Sequence, residues 1–294
     1  MKLLLHACCG PCSLEPTRLL KAAGHDITIY YANSNIHPAE EYEHRLATLR
    51  AWADDAEFDV LEGPYDPATW EACAGRIGDA AIADVERKRA EQDTESAKGC
   101  DTNAAESAGN RLISVTDSAD EAARTAPRAA VLAVDPTRRE ARCRACYRLR
   151  LEETARAAAE RGFDGIGTTL SVSPYQYTDI IREEVERAAA GAGIAPVFED
   201  FRPYYDEATR RSRELGMYRQ NFCGCRISDL EAAAERAERK AERAAAKAAE
   251  RSAHAEERAA EEAARAQRKA ERAAYDKKQA RKRAILKALR EQNS

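Results

Sequence analysis

Residues 2–25, KLLLHACCGPCSLEPTRLLKAAGH, contain an apolar run, a cysteine-rich turn and a helix in immediate succession. The run KLLLHA has the length of a buried strand. Ser13 is a candidate N-cap for the helix that follows, and Gly24 fits the end of that helix. The stretch therefore predicts the first strand and the first helix of an α/β fold, with thiols at the turn between them.

The same alternation of strand and helix continues along the chain. DITIYYAN alternates as a strand, EYEHRLATLRAWADDA has helical periodicity, and FDVLEG has the length of a strand. Later, CYRLRLEETARAAAERG and YTDIIREEVERAAAGAG are amphipathic, and the strand-like segments FDGIGTTLS and IAPVFEDF follow them. Alternating strands and helices form parallel βαβ units. We therefore predict a doubly wound, mostly parallel, Rossmann-like sheet with functional residues at the carboxyl ends of its strands.

Two segments depart from this alternation. Residues 77–140 are small, polar and charged, with 9 basic and 13 acidic side chains, and they predict a mobile insertion. Residues 231–294 are nearly all Ala, Glu, Arg and Lys, which predicts a long, solvated helical tail. We therefore expect an α/β catalytic domain over residues 1–230 that carries the charged insertion, followed by the tail.

The formal net charge of −4 conceals an asymmetry between these parts. The tail carries 18 Lys and Arg residues against 12 Asp and Glu residues, a net charge of +6, so that residues 1–230 carry −10. A solvated extension is one interpretation of the tail. The alternative is that its basic end adds affinity for a polyanion such as RNA.

The cysteines point to chemistry rather than to structural crosslinks. No apolar run approaches the roughly 18 residues of a membrane helix, and LLL is far shorter than the core of a secretory signal. The default expectation is a cytoplasmic enzyme, in which thiols stay reduced and grouped cysteines bind metals or react. Cys73 and Cys100 stand apart, and each is expected to be a buried thiol or an idle surface thiol. The other seven form three groups: Cys8, Cys9 and Cys12; Cys143 and Cys146; Cys223 and Cys225.

The first two groups together supply enough sulfur for a metal centre. Cys8 and Cys9 precede a predicted helix, whose N-terminus favours a thiolate. The C-x-x-C pair of residues 143–146 is expected to open another helix. Four thiolates suit an iron–sulfur cubane and a tetrahedral zinc ion equally well, and unligated dithiol chemistry is a third possibility.

The third group, CGC at residues 223–225, differs in kind. A disulfide across one intervening residue closes a small strained ring, and strained disulfides are more oxidising than structural ones. If this bond forms, the pair stores two electrons. The alternative is that these thiols are further metal ligands or idle.

Taken in order, four motifs carry a resemblance to a known family. LLHACCGPCS, NSNIHPAEEYEHR (33–45), CRACYRLRLEETA with TTLSVSPY behind it, and MYRQNFCGCRIS together resemble the QueH family of epoxyqueuosine reductases. The resemblance covers residues 1 to about 76 and 141 to about 230. The insertion and the tail depart from it.

The resemblance implies a reaction, a fold and a set of cofactors. Members reduce the epoxide of epoxyqueuosine at the tRNA wobble position to queuosine, on an adenine-nucleotide-hydrolase-like fold and without cobalamin. The resemblance also implies that a 4Fe-4S cluster is bound by Cys8, Cys9, Cys143 and Cys146. Because a cubane takes at most four protein ligands, Cys12 is left for a second iron or for no ligand. Cys223 and Cys225 are implied to form a redox-active disulfide.

Several further roles follow from these motifs as expectations. The partners are tRNA carrying epoxyqueuosine and an external electron donor, with no membrane and a monomeric protein. Candidate proton donors near the motifs are Tyr218 and Asp179. Arginines beside the cysteines are candidates for binding the tRNA backbone: Arg144, Arg148, Arg219 and Arg226.

Two rival functions remain at this point. An ATP-dependent tRNA-modifying enzyme on the same fold needs a glycine- and serine-rich phosphate loop after the first strand, where this chain has CCGPCS. A metal- or redox-sensing binding module predicts metal-dependent conformational change without turnover.

Overall fold

The structure is a computed structural model that describes residues 1–98 and 130–292. The chain divides into two compact units, Met1–Glu235 and Arg236–Ser294. Cys100 and the middle of the predicted insertion, residues 99–129, lie outside the described residues.

The first unit contains a single five-stranded sheet in which every described pairing is parallel. The strand order is β3-β2-β1-β4-β5, so the chain moves outward from β1 in one direction and then in the other. This is the doubly wound sheet that the alternation of elements predicts. The strands are β1 (Lys2–His6), β2 (Asp26–Tyr31), β3 (Val60–Glu62), β4 (Gly165–Thr168) and β5 (Ala195–Pro196).

Helices connect the strands and cover both faces of the sheet. A π-helical turn, Glu71–Gly75, lies between the third and fourth of them. The helices are α1 (Gly10–Ala22), α2 (Ala39–Asp55), α3 (Pro67–Trp70), α4 (Arg76–Lys98), α5 (Pro136–Glu160), α6 (Thr178–Ala192), α7 (Tyr205–Glu214) and α8 (Arg226–Gln292).

Alternate residues of the central strand serve two separate cores. Leu4 faces α5 and α6, where it packs with residues such as Leu151 and Ile181. Leu3 and Leu5 face the opposite side and pack with residues of α1, α2 and α7. Because both faces of β1 are buried, its run of three leucines needs no polar alternation.

Two helices begin earlier than the sequence predicts. The N-cap of α1 is Cys9 rather than Ser13, because Pro11 fits the first turn and the Ser13 hydroxyl donates instead to the Cys9 carbonyl. Similarly, Asp135 caps α5 by accepting a hydrogen bond of 2.8 Å from the Thr137 amide. The C-x-x-C pair therefore lies two turns inside α5. The prediction that this pair opens the helix was wrong.

Helices occupy the described ends of the predicted insertion. Helix α4 covers its first residues and α5 its last, while the predicted mobility stays a prediction. The predicted helical tail is confirmed as α8. None of the helices in residues 1–98 and 130–292 combines the length and the apolar content that a bilayer crossing requires.

Candidate metal centre and dithiol pair

The first cysteine group lies where the winding of the sheet reverses. Cys8 and Cys9 leave the carboxyl end of β1, and Thr169 leaves the end of the neighbouring strand β4. The Thr169 hydroxyl lies 4.0 Å from the Cys8 Sγ. Doubly wound proteins bind their ligands at this switch point, because the loops of the two central strands diverge there.

Three sulfur atoms converge at this point. The Sγ atoms of Cys8, Cys9 and Cys12 all lie within 4.8 Å of one another, and those of Cys8 and Cys9 are 3.9 Å apart. In the described parts of the chain, no other group of three or more potential metal ligands lies within this distance. Two of these residues are buried and Cys12 is partly buried. The group can therefore bind a metal, and thiolates are soft ligands that suit iron and zinc.

The trio shares negative charge unequally. The thiols of Cys12 and Cys9 hold the pKa of Cys8 well below its usual range. Although Cys12 favours a thiolate on Cys9, the Cys8 sulfur and burial prevail and raise the pKa of Cys9 to about 12. Cys8, Cys9 and burial raise the pKa of Cys12 well above its usual value. Without a metal, a single thiolate on Cys8 is thus stabilised by two neighbouring thiols.

In the described structure, the two thiols of the C-x-x-C pair in α5 lie in different hydrophobic clusters, and neither belongs to the group of three. Cys143 packs against the core that contains Cys8 and Cys9, whereas Cys146 packs against Trp70 and Cys225. Burial is the largest effect on both thiols, and it raises the pKa of Cys143 to about 12 and also raises that of Cys146. Because the pair lies inside α5, it does not occupy the helix start that was expected for it.

Cys223 and Cys225 form a close but unbonded dithiol. Their Sγ atoms are 3.7 Å apart, beyond the roughly 2 Å of a disulfide. The Cys225 thiol, aided by the Ser228 hydroxyl and opposed by burial, lowers the pKa of Cys223 to about 5. Cys223 and burial raise the pKa of Cys225 well above its usual value. One thiolate beside one protonated thiol is the arrangement that dithiol exchange uses.

Gly224 makes this geometry possible. Its φ of +119° lies in the region that side chains disfavour. A Cβ on Gly224 would lie 2.8 Å from the Ile36 Cγ1 and 3.1 Å from the Arg45 Nη1. The Gly224 carbonyl also accepts a hydrogen bond of 2.9 Å from the His37 amide, which ties the CGC turn to the loop after β2.

Three buried arginines link the cysteine groups. Arg45 donates to the carbonyl of Cys223, and Arg142 lies 3.6 Å from the Cys143 Sγ while it pairs with Glu231. Arg150 donates to the Asn33 side chain at 2.6 Å, and within the described residues it has no carboxylate partner. None of the three side chains was predicted as part of the centre.

The charge of Arg150 therefore acts on its sulfur neighbours. It lowers the pKa of Cys8 and that of Cys146, although other effects on each thiol are larger. The Nε atom of Arg150 is buried and has no hydrogen-bond partner in the described structure, and neither has the Trp70 indole nitrogen. Burial raises the pKa of the Cys146 thiol while the Arg150 and Trp70 side chains lower it, so these two donors favour a thiolate at Cys146.

The sequence carried one usable signal for these arginines. Arg45 closes the NSNIHPAEEYEHR motif, but its spacing from Glu41 resembles an ordinary surface pair on a helix. Only the tertiary structure shows that the pair is buried and reaches the CGC turn.

The candidate proton donors differ in their surroundings. The Tyr218 hydroxyl donates to Glu41 at 2.6 Å, and its ring stacks on His44. The carboxylate of Glu41 raises the pKa of Tyr218. In contrast, the Asp179 side chain is 87% exposed, and its ion-pair partner is Arg182.

The two histidines near the cysteines have structural partners. His6 is fully buried with its Nδ1 3.0 Å from the Thr168 hydroxyl, and burial together with Arg150 lowers its pKa to about 3. The ring of His37 packs beside Trp70, with its Nδ1 3.0 Å from the Asn35 carbonyl oxygen. Cys73, which was expected to be a buried thiol or an idle surface thiol, is partly buried and donates to the Trp70 carbonyl.

Carboxylates neutralise most of the arginines proposed to bind tRNA. Arg144 and Arg148 both pair with Glu184, and Arg226 pairs with Glu71 and Asp79. Arg219 donates to the carbonyl and the hydroxyl of Thr209. The expected basic rim is therefore largely compensated within the first unit.

Comparison with known proteins gives the same family throughout. The family model described as "Epoxyqueuosine reductase QueH" matches residues 3–92 and 102–231. These ranges include most of 77–140, so the match extends into a segment that the resemblance in the sequence left out.

Individual relatives carry the same name. Epoxyqueuosine reductase QueH of Staphylococcus aureus is 26% identical over 76% of this chain and 74% of its own. The proteins of that name from Thermotoga maritima and Dehalococcoides mccartyi are 27% and 24% identical, over 80% and 78% of this chain and 94% and 93% of their own.

Proposed function

The chain belongs to the QueH family of epoxyqueuosine reductases, and from this premise we propose that it reduces the epoxide of epoxyqueuosine in tRNA to the alkene of queuosine. The conversion takes up two electrons and two protons, and the epoxide oxygen leaves as water. The enzyme is an oxidoreductase, as its relatives are named. The observation that carries the proposal is the trio of convergent thiols at the switch point, in a chain with a second pair of thiols poised for oxidation.

An iron–sulfur cluster is the proposed cofactor, and the residues present fit it. The donors are soft thiolates in a buried site, and unpartnered N–H groups of Arg150 and Trp70 lie beside it. When bound, the cluster would supply single electrons and a Lewis-acidic iron. The ligands proposed from the family pattern are Cys8, Cys9, Cys143 and Cys146, with Cys12 left for a second iron.

The buried arginines would offset the negative charge of the ligands. Four thiolates in a buried site repel one another, and a cation within the same low-dielectric region lowers that cost. Arg150 suits this role because no carboxylate in the described residues neutralises it. Arg142 is shared between Glu231 and the Cys143 sulfur, so it contributes less.

The dithiol would supply the electrons for each turnover. Oxidation of the Cys223 thiolate and the Cys225 thiol to a disulfide releases two electrons and one proton. Deoxygenation of the epoxide consumes these two electrons and two protons, so Tyr218 gives the second proton and regains it from solvent. Because Cys223 is a thiolate and Cys225 is protonated, the pair is ready to be oxidised to a disulfide. An external dithiol then reduces the disulfide by exchange and resets the enzyme.

Tyr218 is the better supported of the two proton donors. It is partly buried, it stays protonated because Glu41 raises its pKa, and Glu41 connects it through Arg45 to the CGC turn. Asp179 lies mostly in water, and its ion-pair partner is Arg182. We therefore assign the proton to Tyr218 and leave Asp179 a role in contacting the substrate surface.

Single cysteine variants test this assignment. Anaerobically purified Cys143→Ser and Cys8→Ser proteins are expected to lose most of their iron and sulfide. Cys12→Ser is expected to retain the cluster, and Cys225→Ser is expected to retain it but to complete no more than one turnover. Full iron loss in Cys12→Ser with normal iron in Cys143→Ser would replace the proposed ligand set by the compact trio.

A further inference from the structure

The basic charge of the tail is concentrated in its distal half. Residues 236–264 carry equal numbers of acidic and basic side chains, seven of each. Residues 265–282 carry eight basic side chains and two acidic ones, a net charge of +6 over a helix of about 27 Å. We call residues 265–282 the basic segment. It begins well beyond residue 231, where the family match ends.

The cations of the basic segment are exposed and uncompensated. Its side chains lie on α8, and all eight of its Arg and Lys residues are exposed to solvent. No ion pair joins them to a carboxylate within the described part of the chain. In contrast, Arg144, Arg148 and Arg226 of the first unit are each paired with acidic residues.

From this contrast, we propose that the basic segment binds the phosphate backbone of the tRNA substrate and supplies most of the salt-dependent affinity of the enzyme. The proposal rests on the proposed function, because that function identifies the polyanion. Residues 1–230 carry a net charge of −10 and repel RNA at long range, so the enzyme needs cations elsewhere to hold its substrate. A cation without a carboxylate partner contributes more binding free energy when it meets a phosphate than a cation that must first leave a carboxylate.

The chemistry of the segment favours RNA over a membrane surface. Helices that lie on membranes present a face of Trp, Phe or Leu residues, whereas the basic segment contains mainly Ala, Gln and charged residues. Its one large apolar side chain is Tyr275, which is 61% exposed. An exposed tyrosine among cations can stack on an unpaired base.

A matched pair of full-length variants tests the proposal. In the first, Lys277, Lys278, Arg281 and Lys282 are all changed to Gln. In the control, Arg243, Lys247, Arg251 and Arg258 are changed to Gln, which alters the net charge equally. Gln has nearly the same helix propensity as Lys and Arg, so circular dichroism should show the helix retained in both variants.

Binding is measured with an unmodified tRNA transcript as a function of salt. Each phosphate contact contributes roughly 0.7 to 0.9 to the slope of log K against log salt, so the first variant should lose about 3 from that slope. The control variant should keep the slope of the wild-type protein. Equal slopes in all three proteins, or equal losses in both variants, would overturn the proposal. Binding of the wild type to phosphatidylserine vesicles but not to the transcript would also overturn it.

The two proposals can fail separately. Binding to the transcript requires neither the cluster nor turnover, so it can depend on the basic segment even if epoxyqueuosine is never reduced. Conversely, a first variant that binds and reduces epoxyqueuosine tRNA like the wild type would support the proposed function and refute the role of the segment.

Discussion

The guanidinium of Arg45 donates a hydrogen bond of 3.1 Å from its Nη1 to the carbonyl oxygen of Cys223. This contact joins a residue of α2 to a turn 178 residues later in the chain. Arg45 is 1% exposed, and Glu41 holds its Nε at 2.7 Å. The dithiol turn is therefore held against the α/β domain by a buried cation, which leaves little space around the turn.

Gly224→Ala should disturb this contact directly. The new Cβ would lie 3.1 Å from the Arg45 Nη1 and 2.8 Å from the Ile36 Cγ1, at a φ of +119°. We expect a loss of about 2 to 3 kcal/mol in the free energy of unfolding, measured with urea. The control is Gly216→Ala, at a φ of +62° with no neighbouring atom within 4 Å, which should lose only about 1 kcal/mol. Equal losses would show that the dithiol turn is not tightly packed.

The pKa of Cys223 predicts an unusual pH dependence of alkylation. The pKa of Cys223 is about 5, and the Cys225 thiol is the main cause of this shift. The reaction of Cys223 with iodoacetamide must therefore be followed in protein that retains Cys225. In the otherwise intact apoprotein, the modification of Cys223 followed by peptide mass spectrometry should be constant from about pH 6.5 to 8 and half-maximal near pH 5. An ordinary thiol still accelerates up to about pH 8.5. A tenfold rise in rate between pH 6.5 and 8 would contradict the prediction.

The same shift affects folding stability in a known direction. Since the pKa of Cys223 is lower in the folded protein than in the unfolded chain, the thiolate stabilises the fold fully above about pH 8.5. This contribution should decrease as the pH falls from there and disappear below pH 5. Replacing Cys223 with Ser should therefore flatten the pH dependence of the unfolding free energy over that range.

Glu231→Gln should be strongly destabilising. Glu231 accepts hydrogen bonds of 2.9 and 3.1 Å from Arg142, whose side chain is 5% exposed. Removing the carboxylate charge leaves a buried guanidinium partly uncompensated, at a cost of about 3 kcal/mol. The exposed pair of Arg50 and Glu62 provides the control, because Arg50→Gln should cost less than about 1 kcal/mol. A small effect of Glu231→Gln would show that the Cys143 sulfur or water already compensates Arg142.

The charge of Arg150 should matter most when the metal centre is loaded. Arg150→Met removes a buried cation that has no carboxylate partner in the described residues, so the apoprotein should keep or gain stability toward urea. After anaerobic reconstitution, the variant should hold clearly less iron than the wild type. Arg150→Lys retains the charge and should retain more iron than Arg150→Met. Equal iron in these two variants would assign Arg150 a role in packing alone.

Much of the fold could be predicted from the sequence because β1 and its neighbours are strongly patterned. The run of leucines from Leu3 to Leu5, buried on both sides, identifies the centre of a parallel sheet. The predicted starts of α1 and α5 are too late because Ser13 resembles an N-cap and the C-x-x-C pair that begins at Cys143 resembles a helix start. The prolines at positions 11 and 136 fix these starts, and a proline in the first helical turn is the signal that could have revealed them.

The site was predicted less completely, for a physical reason. Cysteine grouping is visible in the sequence because the thiols within each group are neighbours along the chain. The buried arginines are not, since Arg45 and Arg142 acquire their partners across 178 and 89 residues. The pairing of Arg144, Arg148 and Arg226 with carboxylates is also a tertiary property, which is why they resembled a basic rim in the sequence.

The central claim is that this chain, loaded with an iron–sulfur cluster, removes the epoxide oxygen of its tRNA substrate with electrons from the dithiol of Cys223 and Cys225. The most direct test is mass spectrometry of the nucleosides from epoxyqueuosine tRNA after incubation with anaerobically purified protein and dithiothreitol. We predict that the modified nucleoside loses the mass of one oxygen atom, and that protein without iron does not produce this change. Iron-loaded protein that leaves the epoxide intact would contradict the account.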